Sequence, residues 1–207
     1  MNAPNTGLRH PAAPAVFRIG PNAVLQLLPV LDRAFGPDAS GKALAAAGIP
    51  RPGADAGMLP ETGVASLHGV VRRIWPGEAP QLLREAGLGT GDYILANRIP
   101  GFAKTIIRAL PARLGARLLC AAIAKHAWTF AGSGRFRILS QNPLVFEIAA
   151  NPLVAGEVAA EPLCHWHAAV FERLFSRLVW PNVAVRETAC CACGPSACRF
   201  ELLPNGR

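Results

Sequence analysis

The stretch Glu187-Thr188-Ala189-Cys190-Cys191-Ala192-Cys193-Gly194-Pro195-Ser196-Ala197-Cys198-Arg199-Phe200 holds four of the chain's six cysteines. Just upstream, Val183, Val185 and Glu187 alternate with Ala184, Arg186 and Thr188, the period of a strand. A second strand is expected from Ala197 to Leu203, with Phe200 and Leu202 as apolar positions and Gly194-Pro195-Ser196 as the turn between the two. Such a hairpin sets Cys190 and Cys198 across its mouth. Cys164, two residues after Pro162, begins a helix that can pack over that mouth. Together Cys164, Glu187, Cys190 and Cys198 offer three thiolates and one carboxylate, a complete tetrahedral set for Zn²⁺. Four protein donors close the coordination sphere, which points to a structural ion. Cys191 and Cys193 leave open a different ligand choice or an iron–sulfur cluster, although the tail's cysteine spacing departs from the usual cluster patterns.

Working outward, residues 162–178 read as the helix that carries Cys164, His165 and His167, with the apolar stripe Leu163, Trp166, Val170, Leu174 and Leu178. Before it, residues 135–139 and 144–148 alternate as two strands around Gln141-Asn142-Pro143. The first half is helical. One helix begins at Pro21, kinks at Pro29 and stops at Gly36-Pro37, and a second runs from a Ser40 cap to Gly48. Further helices are expected over 61–75, 78–86, 102–109 and 111–128. Gly87-Leu88-Gly89-Thr90-Gly91 lacks the spacing of a dinucleotide loop and follows a helix, so it reads as a turn or a helix C-cap. The fold class is α+β: a helical N-terminal half, then a small antiparallel sheet with covering helices. Residues 1–16 read as a disordered lead-in, and 17–204 as one domain with the zinc hairpin at 182–203.

Composition narrows the function. The chain is 51% hydrophobic with a mean hydropathy of +0.27, yet no run approaches the ~18 apolar residues that span a bilayer. No signal peptide frames the uncharged segment 19–31, so the protein is expected in the cytoplasm or peripherally at a membrane. That compartment favours reduced thiols and metal over disulfides. The net charge is +8, and from Tyr93 to Phe146 there is no Asp or Glu among eight Arg and Lys. A basic face of this kind suits a membrane surface or an anionic ligand. Nucleic acid is not expected, because no reading motif is present and Tyr93, Phe102 and Trp128 are too sparse for a stacking platform.

Pro162-Leu163-Cys164-His165, Arg186-Glu187-Thr188 with Cys190, Gly194, and Cys198-Arg199-Phe200 resemble the signature of the 4-vinyl reductase domain family. Arg18-Ile19-Gly20-Pro21 before a leucine-rich helix is similar to the start of the same domain. The resemblance is clear over the C-terminal half and looser over the rest, and over its whole length the chain is most similar to the stand-alone members that act in bacteriochlorophyll biosynthesis. It implies a zinc ligand set of Cys164, Glu187, Cys190 and Cys198, and an apolar ligand pocket between helices and sheet.

For a tetrapyrrole, such as a magnesium porphyrin or a protochlorophyllide, the pocket's needs are aromatic walls, cations for the carboxylates and one axial donor. Trp75, Trp128, Trp166, Phe136 and Phe146 are the wall candidates. Arg98, Arg108 and Arg117 are the carboxylate candidates, and His126 and His167 the axial ones. The family name implies reduction of a vinyl group, yet the chain carries no Rossmann fingerprint, flavin motif or ferredoxin-type run that would deliver electrons. Three readings therefore stand: a tetrapyrrole-binding protein, the vinyl reductase itself with an external electron donor, or a scaffold subunit for another pathway enzyme. Self-association as a homodimer is left open.

Overall fold

A computed structural model describes residues 16–204. The expected lead-in therefore lies, except for Val16, outside the described residues. The chain opens with β1 (Arg18–Ile19), which pairs antiparallel with β2 (Leu59–Pro60). Two-residue strands have no periodicity to detect, and this pair was not expected from the sequence. Between them lie α1 (Asn22–Leu25), α2 (Leu28–Phe35) and α3 (Ala39–Ala47). The single kinked helix expected here is two helices, because Pro29 sits in the first turn of α2 rather than inside a longer helix. Ser40 lies inside α3 rather than at its cap; its backbone N–H and hydroxyl both donate to the Asp32 carboxylate, at 2.8 Å each. Gly48 ends α3 with φ of 69°, as its position suggested.

Next come α4 (Glu61–Ile74), α5 (Ala79–Asn97), α6 (Gly101–Ala109), α7 (Ala112–Lys125) and α8 (Trp128–Ala131). The turn expected at 87–91 is instead the middle of α5. Its glycines mark a close helix crossing: a Cβ on Gly87 would stand 2.4 Å from the Trp166 carbonyl oxygen, and one on Gly91 2.6 Å from Arg173 Cβ. The residues that looked like breakers are the ones that let α5 lie flat against α9 (His165–Leu178).

The sheet orders β3 (Arg135–Gln141), β4 (Leu144–Ala149), β6 (Ala197–Leu203) and β5 (Ala184–Ala189), all antiparallel, as 3-4-6-5. Its inner face pairs Phe146 with Phe200 and Ile148 with Cys198, each fully buried. Helix α9 covers that face, and Phe171 meets Phe146 and Phe200 at centroid distances of 5.0 and 5.4 Å in edge-to-face contact. The layers are therefore sheet, then α9, then α5, with the remaining helices around them. This is the α+β architecture expected from the sequence.

Candidate functional site

Three elements converge at the N-terminal end of α9. Cys164 occupies the position before its first turn. Glu187 lies on β5, where the pairing with β6 slips between Glu187 and Ala189 and so re-aims the strand's end. Cys190 follows that strand, and Cys198 is the second residue of β6. The four donor atoms lie within 4.8 Å of one another. The sulfurs are separated by 3.4 Å (Cys164–Cys198), 3.9 Å (Cys164–Cys190) and 4.0 Å (Cys190–Cys198). Tetrahedral zinc with metal–sulfur bonds of about 2.3 Å sets its sulfurs roughly 3.8 Å apart, so the spacing fits the ion.

The electrostatics fit it too. Glu187 Oε2 accepts the Cys164 N–H at 2.7 Å, while its buried Oε1 has no partner among the described residues. Burial pushes the Glu187 carboxyl up to about 8. Burial, reinforced by hydrogen bonds to the other two thiols, likewise holds the Cys164 thiol well above its usual range. Cys190 is pushed the other way, because the Cys164 and Cys198 thiols both donate to it. For Cys198 the hydrogen bond with Cys164 favours the thiolate, but the bond to Cys190 and burial outweigh it and raise the thiol. Four anionic donors this close cannot all ionise without a cation, and a divalent ion at their centre would reverse every one of these penalties.

Around the donors, N–H groups point at sulfur. Asn151 Nδ2 donates to Cys164 Sγ at 3.3 Å and to Cys198 Sγ at 3.5 Å, the Leu163 N–H to Cys190 Sγ at 3.5 Å, and the Cys191 N–H to Cys198 Sγ at 3.3 Å. Asn151 is itself buried and fixed through its Oδ1, which accepts the Leu153 N–H at 3.1 Å. Cys191 is half-buried and Cys193 exposed, on a short turn outside the four-donor group.

The middle of the same helix faces a different space. A cavity of about 600 Å³ lies among α1, α5, α7 and α9. Its inner walls include Thr90 and Ile94 of α5, Leu119 and Ile123 of α7, and Trp166 and Val170 of α9. The Trp166 indole N–H is satisfied by Thr90 Oγ1 at 3.2 Å, which leaves the ring's apolar body as wall. Arg98, His126 and Trp128 line it from exposed positions and so form its mouth.

A family model for the 4-vinyl reductase domain matches residues 144–204, the sheet strands β4 to β6, α9 and the four donors. The chain is 72% identical over 195 residues to the bacteriochlorophyll synthase 23 kDa chain of Cereibacter sphaeroides, covering 94% of this chain and 95% of that one. It is 56% identical over 191 residues to the protein of the same name from Rhodobacter capsulatus, covering 92% and 89%. The chain belongs to the bacteriochlorophyll synthase 23 kDa chain family. Among solved structures, the phenol-responsive sensory domain of the transcription activator PoxR with phenol superposes with a TM-score of 0.54 at 18% identity, covering 79% of this chain and 89% of that one. An H-NOX protein from S. oneidensis in the Fe(II)NO ligation state superposes with a TM-score of 0.52 at 10% identity, covering 88% and 97%. At these identities the likeness is one of fold.

In this 23 kDa chain the ligand candidates read from the sequence separate into two groups. Arg98, His126, Trp128 and Trp166 line the cavity. Six others do not. Trp75 stacks on Phe35 at 4.6 Å; Arg108 Nε donates to the Arg177 carbonyl at 3.1 Å; Arg117 is on the outer face of α7. Phe136 and Phe146 pack with Phe171 in the core, and His167 is buried against the Phe130 carbonyl, 3.3 Å from its Nε2. Burial holds His167 at about 4, so it is neutral. Thr90, Ile94, Leu119 and Asn151 were missed. The first three look like ordinary helix positions, and an amide beside sulfur leaves no trace in a metal-ligand pattern.

Proposed function

We propose that the chain is a non-catalytic tetrapyrrole-binding subunit acting in bacteriochlorophyll biosynthesis, associated with the vinyl-reduction step and working with another enzyme of that pathway. The observation that carries this reading is the cavity of about 600 Å³, apolar inside and bearing Arg98 and His126 at its mouth. Its size falls within the roughly 300–1,000 Å³ of ordinary ligand pockets. Trp166 and Trp128 supply flat apolar surface for a macrocycle, Arg98 a cation for a propionate, and His126 a ring nitrogen for a central Mg²⁺. The names of the relatives support the pathway, and the phenol-bound PoxR domain supports a fold that carries an apolar ligand.

The same proposal assigns Cys164, Glu187, Cys190 and Cys198 to a structural Zn²⁺. The ion would tie the start of α9 to β5 and β6, and so hold Trp166 two residues along in its place on the cavity wall. Four protein donors leave no open position for substrate.

The test is titration of the purified protein with divinyl protochlorophyllide, with and without NADPH, followed by extraction of the pigment. A shifted Soret band with the vinyl group intact is expected. Conversion to the ethyl product would make the chain a reductase and overturn the non-catalytic reading. Absence of any spectral shift would leave a scaffold subunit and remove the cavity from the function.

A further inference from the structure

Helices α6 and α7 are packed to each other through a close crossing, where a Cβ on Gly115 would stand 2.9 Å from the Ile107 carbonyl oxygen. Their inward sides are settled: Ile107, Ala116, Leu119 and Ile123 are buried. Their outward sides are not polar. Phe102 is 71% exposed, and Ile106, one turn on, Leu114, and Leu118, one turn beyond that, are exposed as well. Large apolar side chains at i, i+4 spacing on the solvent side of two adjoining helices are more than scattered surface hydrophobics.

The charge around them has one sign. Lys104, Arg108, Arg113, Arg117 and Lys125 belong to these two helices, which contain no Asp or Glu. Among the described residues none of the five is paired with a carboxylate. Lys104 and Arg108 donate to the carbonyls of Leu95 and Arg177, which orders them without neutralising them. The row Leu114, Leu118, Ala122, His126 then climbs α7 one turn at a time, exposed throughout, and its last two members line the cavity mouth beside Trp128, itself 59% exposed.

We propose that the outer face of α6 and α7 docks on the surface of an anionic lipid bilayer, with Phe102, Ile106, Leu114 and Leu118 entering the headgroup boundary and the basic residues meeting lipid phosphates. Apolar side chains ringed by unneutralised cations match the two-part chemistry of that surface. A protein partner of ordinary composition would bring carboxylates to these cations but would not need them all to be of one sign. Trp128 is the type of residue that sits at the interface depth, so the mouth of the cavity opens towards the bilayer. The docking stands whether or not the cavity takes a tetrapyrrole.

The experiment is flotation of the purified, pigment-free protein with vesicles of phosphatidylcholine alone and of phosphatidylcholine with phosphatidylglycerol. Co-flotation with the anionic vesicles is expected, weakened by about tenfold or more in the R113E/R117E double variant, and reduced when salt of about 1 M shortens the Debye length to roughly 3 Å. The F102S/I106S variant is expected to lose the residual binding that survives high salt, with an unchanged melting temperature because both residues are exposed. Failure to float with either vesicle, or equal flotation of wild type and both variants, would overturn the proposal. So would a solution dimer, seen by analytical ultracentrifugation, that dissociates on F102S/I106S while flotation persists, since the face would then belong to a second copy.

Discussion

The two ends of one helix do opposite things. At its N-terminal end, α9 enters a corner where the donor atoms lie within 4.8 Å of each other and N–H groups converge on their sulfurs. Further along, the same helix lines a space of about 600 Å³ that polar groups barely enter. The corner is held by directional bonds and has one unpartnered carboxylate oxygen, Glu187 Oε1. The cavity is held by shape, and its charged and titratable groups, Arg98 and His126, are at the mouth where water can reach them. The difference separates a site that fixes the fold from one that the fold keeps open, and it predicts that damage to the first unfolds the protein while damage to the second leaves it folded and idle.

The largest effect belongs to the corner. Cys198→Ala is expected to abolish bound zinc, read by metal analysis of the purified protein, and to lower the melting temperature by more than about 10 °C, given that structural zinc contributes about 10 kcal/mol or more in small peptides. Unchanged metal content would remove Cys198 from the ligand set. Phe146→Ala comes next: an expected loss of about 3–5 kcal/mol in denaturant unfolding, with zinc retained, because it leaves a void among Phe136, Phe171 and Phe175. Asn151→Ala should keep the ligands but weaken zinc affinity by about 10–100-fold, measured by competition with a chelator. If Asn151→Ala matched Cys198→Ala in severity, the amide would be more than a positioning group.

The corner was legible in the sequence and the cavity was not, for a physical reason. Metal donors are rare residue types whose chemistry survives in a one-dimensional pattern, so Cys164, Glu187, Cys190 and Cys198 could be grouped before any geometry was known. A cavity is the absence of atoms between elements distant in sequence, here α1, α5, α7 and α9, and its apolar walls look like any core. Trp128 and Trp166 were named together with Trp75, Phe136 and Phe146 because aromatic character alone cannot say which face of an element a ring takes. The fold shows the same divide. Alternation revealed the four sheet strands, whereas the 87–91 glycines of α5 pointed to a turn, because their partner, the flat side of α9, lies nearly eighty residues away.

A smaller effect comes from acid. Burial holds His68 at about 3 and His167 at about 4, each against a model-peptide value near 6.5. Both are neutral when folded, and in the unfolded chain they take up a proton below about 6.5. Stability is therefore complete above that pH and falls as the pH drops from about 6.5 towards 4, by up to about 1.4 kcal/mol per pH unit for each histidine. His68 Nε2 lies 3.0 Å from the Ala23 carbonyl oxygen, so it carries the proton that donates there. His68→Gln should halve the slope of stability against pH in urea unfolding, leaving the His167 share; an unchanged slope would mean that His68 does not titrate on unfolding.

The smallest expected change in stability carries the sharpest test of the comparison. Ala122 is exposed and lines the cavity from the outer row of α7, beside the mouth. Ala122→Trp adds an indole where solvent already is, so folding should change by no more than about 0.5 kcal/mol. The same ring narrows the entrance between His126 and Trp128, and the Soret shift on addition of protochlorophyllide should disappear while zinc content and melting temperature hold. A variant that folds, keeps its metal and still binds pigment normally would place the ligand elsewhere. A variant that loses zinc as well would show that the two ends of α9 are one cooperative site, because a change at the open end would then have reached the closed one through the helix they share.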